Sequence, residues 1–456
     1  MRRAILYFLA IGVLAISSRA QNTDHDMVMP EQDPSAQSMP ASHGMNMGET
    51  ALSSLPSFDA SSGTAWQPAS VTDPMWMIMH GGWEFMFHGT VFITYNQQGG
   101  PRGEGKAEST NYLMTMQQHR LGSGTLLLRQ MFSAESLTSP HPGFPELFQT
   151  GETYHGHQLV DHQHPHNVFA ELAALYTLPI NDKVTWLLYG GPSAEPALGP
   201  VTFMHRQSAS ENPEAPLGHH LQDSTHTSFG VVTTGLILNL SKLELSQLDL
   251  SKLGFLKLEG SAFNGHEPNE ERWSIQLAPL DSWSFRVNES PTLNWIVQYS
   301  YGRLSHPEAL EPGDQTRQSA SLEYNRPLSG VPGKGNWATS LIWGRVQKEF
   351  EPFPLNSYLL ESTLNFFARN YAYTRLELVD KDELFPQAPT HPSYRIGAYT
   401  FGGVRDFVHN EHWQIGLGGD VTFYSKPAVL NPFYGDNPVS FHVFIRVRPG
   451  LMGHMH

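Results

Sequence analysis

The chain has no cysteine among its 456 residues. This absence excludes disulfide bonds, cysteine-ligated zinc sites, iron–sulfur clusters and cysteine nucleophiles. An exported protein of this length must then gain its stability from core packing or from closure of a sheet. Any metal ion would have to be held by His, Met, Asp or Glu side chains.

Long apolar runs are also missing. Two arginines precede the short apolar stretch 4–16, and the small residues of 18–20 follow it. This pattern predicts a cleaved signal peptide over residues 1–20, with an uncleaved N-terminal anchor as the alternative. After Gln21 no stretch is long and apolar enough for a transmembrane helix.

Charged residues are scarce and mostly acidic. They make up 16% of the chain, and the formal net charge of −15 argues against a nucleic-acid partner. Hydrophobic residues reach only 39%. A transmembrane β-barrel reconciles export with so polar a composition, because only alternate residues must face lipid. We therefore expect an outer-membrane location, with membrane lipid and the barrel-insertion machinery as partners.

From residue 83 onward the sequence is a series of strand-like segments bounded by Gly, Pro, Asn or Asp. In the last one, apolar residues at 441, 443, 445 and 447 share one face and polar residues at 440, 442, 446 and 448 the other, with Phe444 as an exception. The pattern predicts an all-β fold, an antiparallel transmembrane β-barrel of about sixteen strands. The expected strands are 83–95, 107–118, 123–133, 168–178, 183–190, 226–239, 254–263, 281–288, 292–302, 316–326, 336–346, 356–369, 371–380, 393–405, 412–424 and 439–448.

The segments between these strands alternate between short and long, as barrel turns and external loops do. Ser241–Lys252 breaks the rule, since it is long where a short turn is due, and it suggests a missed strand. A secreted β-sandwich or propeller is the soluble alternative, and the lack of an internal repeat disfavours a propeller. The expected organisation is a disordered Met/His-rich periplasmic tail over 21–72, a barrel over 73–449 and a Met/His tail over 450–456.

One predicted external loop is rich in histidine. Alternate histidines in an extended chain lie on one face, and neutral imidazoles at such spacing suit copper, zinc or nickel, with an aspartate as ligand or orienting group. A polar loop without a metal is the alternative. The candidate ligands are His155, His157, Asp161, His162, His164 and His166.

The next long loop carries a second group of candidates. Because both loops are predicted at the external end, the two groups could meet at the barrel mouth and form one metal site. An ionisable constriction of the lumen without metal fits the same residues. The second group comprises His205, His219, His220, Asp223 and His226.

Methionine and histidine are interleaved in both predicted tails. A disordered tail has no core for methionine to fill, and thioether with imidazole donors favours copper, especially Cu(I). Met45 and Met47 are the candidate ligands that we single out, and compositional bias is the alternative.

The signal peptide, the Met/His-rich mature N-terminus and the barrel together resemble the copper-resistance B type of outer-membrane protein. The block 154–176, with Asp161-His162-Gln163-His164-Pro165-His166, is also similar to poorly characterised His-rich barrel proteins found near metal-resistance functions. The first resemblance covers architecture and tail composition, and the second covers most of the barrel. They imply metal-ion partners and a role in copper handling.

The sequence thus favours an outer-membrane barrel, not an enzyme, that binds or passes transition-metal ions. Copper handling or resistance is the leading interpretation. A general outer-membrane channel or structural barrel without metal chemistry is the alternative. An outer-membrane lipid hydrolase is a third hypothesis, since Ser208, Ser210 and Ser224 lie near the histidines of the second group.

Overall fold

The computed structural model describes residues 61–223, 228–242, 254–328, 335–388 and 391–451. Nearly all of the regular structure in these residues is β-strand. The α-helices among them are short: α1 Glu135–Thr138, α2 His219–Gln222 and α3 Asn431–Tyr434. No helix in the described part of the chain is long and apolar enough to cross a membrane.

The strands are numbered in chain order. They are β1 Trp76–His80, β2 Trp83–Gln97, β3 Gly105–Glu108, β4 Asn111–Leu121, β5 Gly124–Phe132, β6 Phe144–Pro145, β7 Glu152–Tyr154, β8 His157–Leu159, β9 His162–Gln163, β10 Phe169–Pro179, β11 Val184–Ser193, β12 Val231–Asn239, β13 Phe255–Phe263, β14 Ser282–Thr292, β15 Trp295–Leu304, β16 Gln315–Pro327, β17 Gly335–Lys348, β18 Leu355–Phe366, β19 Asn370–Lys381, β20 Tyr394–His409, β21 Trp413–Ser425 and β22 Val439–Pro449.

Eighteen of these strands form one closed antiparallel sheet. Closure comes from β2, which pairs with β22 between Val91↔Val447 and Gln97↔Phe441. Along one edge of β2 lie β3 and β4 in line, and along the other lie β1 and β22 in line. The eighteen strands therefore fill sixteen positions around a barrel. The predicted fold class is confirmed, and neither a sandwich nor a propeller is formed.

Side chains alternate between the lumen and the outside along each strand, because successive residues of a strand point to opposite faces. In β14 the small or polar residues Ser284 and Arg286 are buried, while Trp283 and Phe285 are exposed. In β22 the exception in the pattern, Phe444, points into the lumen and packs edge-on against Phe92 at 5.4 Å between ring centroids. It fills an apolar patch of the lumen wall and does not break the register.

Large apolar side chains cover the outside of the barrel. Trp337 and Trp413 lie on the outer face near the start of their strands, at the short-turn end, and Trp283 and Phe285 lie on it at the long-loop end. Aromatic belts flanking an aliphatic band, on a sheet without free edges, form the surface that a bilayer requires. The barrel is an outer-membrane protein.

Each predicted strand overlaps a strand of the barrel. No strand lies between β12 and β13 in the described sheet, because the two pair directly from Val231↔Phe263 to Asn239↔Phe255. Residues 243–253 of the connection between them lie outside the described part of the chain.

Two long loops from the same end of the barrel fold into the lumen. The first lumen loop is residues 133–168, between β5 and β10, and the second lumen loop is 194–230, between β11 and β12. Most of their described residues from 143 to 152 and from 194 to 219 are buried. A barrel of this size leaves an aqueous channel unless something fills it, and here the loops occupy much of the lumen.

Charged hydrogen bonds hold the second lumen loop against one side of the barrel, which we call the charged wall (Glu361, Arg375, Glu377, Asp406 and Arg446 on β18–β20 and β22). Arg206 donates from Nε to Glu361 at 2.7 Å. The backbone N–H groups of Leu217 and Gly218 donate to Glu377 at 3.1 and 3.0 Å. Farther along the same wall, Glu211 pairs with Arg446.

The segment 61–67 also lies inside the lumen and is buried throughout. Arg129 and Lys257 donate to the carbonyl groups of Gly63 and Thr64. The ammonium group of Lys257 stands 4.5 Å from the ring centre of Trp66. This part of the predicted tail 21–72 is therefore ordered, because lumen side chains satisfy its polar backbone. Residues 1–60 and 452–456 lie outside the described chain, so the signal peptide and the rest of both tails stay predictions.

Candidate functional site

The two histidine-rich loops meet inside the barrel. His164 and Glu152 of the first lumen loop and His220 of the second present ligand atoms that all lie within 4.8 Å of one another. The ring centroids of His164 and His220 are 5.5 Å apart. Imidazole and carboxylate donors at such separations can share one divalent transition-metal ion after small side-chain movements.

Hydrogen bonds orient the members of this cluster. Nε2 of His164 lies 3.1 Å from one carboxylate oxygen of Glu152, and Arg272 donates to the other at 2.7 Å. Nδ1 of His164 lies 2.9 Å from the carbonyl oxygen of Pro165. The arginine neutralises Glu152 in part and fixes its orientation.

Burial keeps the second imidazole of the cluster neutral. It lowers the pKa of His220 well below its ordinary value, and the nearby cations Lys381, Arg317 and Arg272 lower it further. Burial also raises the pKa of Glu152, and Arg272 opposes that rise. A neutral imidazole is the form that binds metal, so burial favours the ligand form of His220.

An acidic cavity of about 360 Å³ lies above the cluster at the long-loop end, and we call it the vestibule. It is built where the first lumen loop meets the loops after β13, β15 and β19. Among the described residues that line it there are seven glutamates and no basic side chain. The glutamates are Glu152, Glu267, Glu270, Glu271, Glu308, Glu311 and Glu383.

The vestibule narrows to a small cavity of about 10 Å³, the throat, lined by His164, His166, His220 and Arg272 together with Glu152 and Glu267 of the vestibule. This volume holds about one water molecule. The described lumen is therefore constricted where the histidines meet.

Below the throat, His164 and His166 also line a lower cavity of about 70 Å³ that contains His88 and His205. The lower cavity shares Arg448 and two loop residues with an exit cavity of about 40 Å³ at the short-turn end. Neighbouring cavities share lining residues along the whole series. Together they form a series of cavities between the two ends of the barrel.

Several predicted ligands lie away from this cluster. His155 and His157 sit at the exposed tip of the β7–β8 hairpin. Asp161 pairs with Arg102 at 2.8 Å, and His162 lies 3.2 Å from Glu104. Asp223 is buried and pairs with Arg206 at 3.0 Å. These last three are bound to protein partners that stabilise the loops, so the expected single face of His162, His164 and His166 is not formed.

The other predicted histidines stay inside the lumen. The ring centroids of His219 and His220 are 4.1 Å apart with the ring planes tilted by 41°, and Nε2 of His219 lies 2.8 Å from the side-chain oxygen of Gln163. Nδ1 of His166 lies 2.6 Å from Glu135. His205 is buried in the lower cavity. His226, Met45 and Met47 lie outside the described residues.

Sequence reasoning missed the acidic half of this site. Glu152 stands twelve positions before His164, and only the fold of the loop brings the two together. The vestibule had a readable signal, because the predicted external loops contain Glu267, Glu270 and Glu271 and then Glu308 and Glu311. The charges of loops at one end of a barrel add up to one electrostatic potential at its mouth.

The hydrolase hypothesis finds no support in the described residues. Ser208 bonds to Ser340 at 2.7 Å and to Glu361 at 2.9 Å. Ser210 donates to the carbonyl of Gln207 at 3.1 Å. A serine nucleophile needs an adjacent histidine base, and neither hydroxyl is bonded to one. Ser224 lies outside the described residues.

Comparison with known proteins finds similarity in structure. No protein-family model matches the chain, and no curated protein sequence matches it. Salmonella typhi OmpF, in complex with daunomycin, is 8% identical, with a TM-score of 0.48 over 81% of this chain and 100% of that chain. OprB of Pseudomonas putida is 7% identical, with a TM-score of 0.48 over 81% and 94%. An anion-selective porin from Comamonas acidovorans is 10% identical, with a TM-score of 0.44 over 80% and 99%.

Proposed function

We propose that this protein is a narrow outer-membrane channel for small cations, and that its throat binds a divalent transition-metal ion in transit. The observation that carries the proposal is the meeting of Glu152, His164 and His220 directly beneath an acidic vestibule. A selective pore needs a charged entrance and a constriction with suitable ligands. Both features come from loops that a plain porous barrel would not need inside its lumen.

The charge of the vestibule favours cations. Seven glutamates line a cavity with low-dielectric walls, which concentrates cations and repels anions. Burial raises the pKa of Glu267 well above its ordinary value and that of Glu311 to about 8, each reinforced by neighbouring glutamates. A cation that enters would lower those pKa values and be held by the released charge.

The ligands of the throat favour borderline metals over calcium or magnesium. Two imidazoles with one carboxylate suit Zn²⁺, Ni²⁺ or Cu²⁺, whereas Ca²⁺ and Mg²⁺ prefer sites made of oxygen atoms alone. Three protein ligands also leave a coordination position open for water, which suits an ion that must leave again.

Ion selectivity of the purified full-length protein in planar lipid bilayers tests the channel. We expect a small conductance with a reversal potential that indicates cation preference in a KCl gradient. Above about pH 8, where Glu311 is charged, replacing Glu267, Glu308 and Glu311 by Gln should shift that potential toward the non-selective value. A matched variant with three exposed charges removed, Asp182→Asn, Glu351→Gln and Glu411→Gln, should keep the wild-type potential. Absence of conductance, or anion preference, would contradict the proposal.

Zn²⁺ block of the same current tests the throat. Loss of even a group that only orients a metal ligand weakens affinity by about 10- to 100-fold, so His164→Gln with His220→Gln, which removes two ligands, should raise the blocking concentration by at least that factor. His155→Gln with His157→Gln removes two exposed histidines of the same kind and should leave block unchanged. Equal block in both double variants would exclude the throat as the metal site.

A further inference from the structure

One side of the lumen wall is lined with methionine. Met86 of β2, Met114 and Met116 of β4, and Met131 of β5 are each no more than 1% exposed and belong to one apolar cluster. Lumen-facing positions elsewhere in the barrel include many polar residues, among which Ser, Thr, Arg and Glu are frequent. We call these four residues the methionine wall.

The strand registers bring the methionine wall together with a histidine. Met86 lies opposite Met116, and His88 lies opposite Met114. Met114 in turn lies opposite Met131. Side chains of directly paired residues on one face of a sheet are neighbours, with Cβ atoms about 4.5–5.5 Å apart. The wall thus offers several thioethers beside one imidazole.

The second lumen loop adds a further imidazole from above. The ring of His205 lies 5.3 Å from that of His88, and Met204 packs against the same cluster. His205 is 3% exposed, and neither of its ring nitrogens has a hydrogen-bond partner among the described protein groups. Nε2 of His88 also lacks one. Buried imidazole nitrogens normally have a partner, so these atoms point to a ligand.

We infer that the methionine wall, His88 and His205 form a binding site for a soft monovalent metal ion of the Cu(I) or Ag(I) class. Thioethers select soft ions, and imidazole completes a low-coordinate site for them. This site is separate from the throat and does not depend on channel activity.

Competition with a chromogenic Cu(I) chelator under ascorbate tests the inference on the detergent-folded full chain. The first variant replaces Met86, Met114, Met116 and Met131 by Leu, a swap that conserves volume. The second, matched in kind, replaces Met27, Met29, Met39, Met45 and Met47 of the predicted tail by Leu. We expect the first variant to lose one equivalent of tightly bound Cu(I) that the second variant keeps.

X-ray absorption at the copper edge supplies a second readout. The wild-type protein should show sulfur together with nitrogen neighbours, and the tail variant should retain them. In the wall variant the sulfur contribution to the spectrum should fall. Heat-modifiable migration on gels serves as the control that this variant is folded. Equal Cu(I) stoichiometry and sulfur signal in the folded wall variant and the wild type would overturn the inference. Loss of both in the tail variant alone would also overturn it.

Discussion

The two sides of the lumen wall hold the loops by different interactions. On the charged wall, Glu361 bonds to Arg206 at 2.7 Å and to Arg375 at 3.3 Å, all three fully buried. The methionine wall, with Met114 and Met116, offers mainly apolar contacts. Ion pairs fix orientation, whereas thioether contacts adapt to what lies against them. The lower cavity lies beside β2 and β4, next to the adaptable side.

Removal of a carboxylate from the charged wall should cause the largest loss of stability among the variants that distinguish the two walls. Glu361→Gln leaves Arg206 and Arg375 buried with one carboxylate fewer, and removal of one partner of a buried pair costs about 3–5 kcal/mol. We expect a lower midpoint of unfolding in denaturant and, because the second lumen loop loses an anchor, a larger single-channel conductance.

Arg303→Gln provides the control for that variant. Arg303 pairs with Asp314 at 2.7 Å but is 58% exposed, and exposed pairs contribute about 0–1 kcal/mol. A destabilisation by Glu361→Gln no greater than that of the control would show that the charged wall does not hold the loop.

The methionine wall should respond to size and not to charge. Met114→Ala leaves a cavity in the cluster and should destabilise the protein by about 2–5 kcal/mol. Met114→Leu conserves volume and should cost less than about 1.5 kcal/mol. Denaturant titration of both variants measures the difference. Equal losses would indicate that the sulfur itself, rather than packing, stabilises this wall in the metal-free protein.

The vestibule should make cation selectivity depend on pH. Burial raises the pKa of Glu311 to about 8, so its carboxyl group is neutral below that pH and charged above it. Cation preference should therefore increase as pH rises through about 8. Reversal potentials on either side of that value measure the change. The Gln variant of Glu267, Glu308 and Glu311 should show a smaller change with pH than the wild type, and a wild-type preference that falls with rising pH would contradict the assignment.

The smallest effect is expected at His155 and His157, which the sequence alone does not distinguish from the histidines of the throat. His155 and His157 are exposed at a hairpin tip, so replacing both by Gln should change the free energy of unfolding by less than about 0.5 kcal/mol. Denaturant titration checks this. A loss as large as that of the Met114→Ala variant would mean that the hairpin carries a contact that the fold does not show.

The barrel was readable from the sequence because strand periodicity is local. Alternation in 439–448 and the short turns between strands depend on residues near one another in the chain, and they predicted the sixteen barrel positions. Local patterns did not predict which segments of the chain occupy the lumen. Segment 61–67 has little apolar surface. Its position in the lumen depends on hydrogen bonds from Arg129 and Lys257, which are distant from it in the sequence.

The site was predictable in part for the same reason. The density of histidine marked both lumen loops, but the loop fold decided that His164 and His220 meet while His155 and His157 stay outside. The methionine wall had a local signal, since Met114 and Met116 are two apart in a strand, as are Met86 and His88. A period of two places each pair on one face.

The docking of the second lumen loop inside the barrel is the claim on which the proposed channel, the throat site and the methionine-wall site all depend. The hydroxyls of Ser208 in the loop and Ser340 on β17 are 2.7 Å apart, and the chain has no cysteine to interfere. Ser208→Cys with Ser340→Cys should form a disulfide in intact outer membranes, as should the strand pair Thr339→Cys with Ser362→Cys, whose hydroxyls are 2.8 Å apart. A disulfide in the strand pair but free thiols in the loop pair would contradict the account.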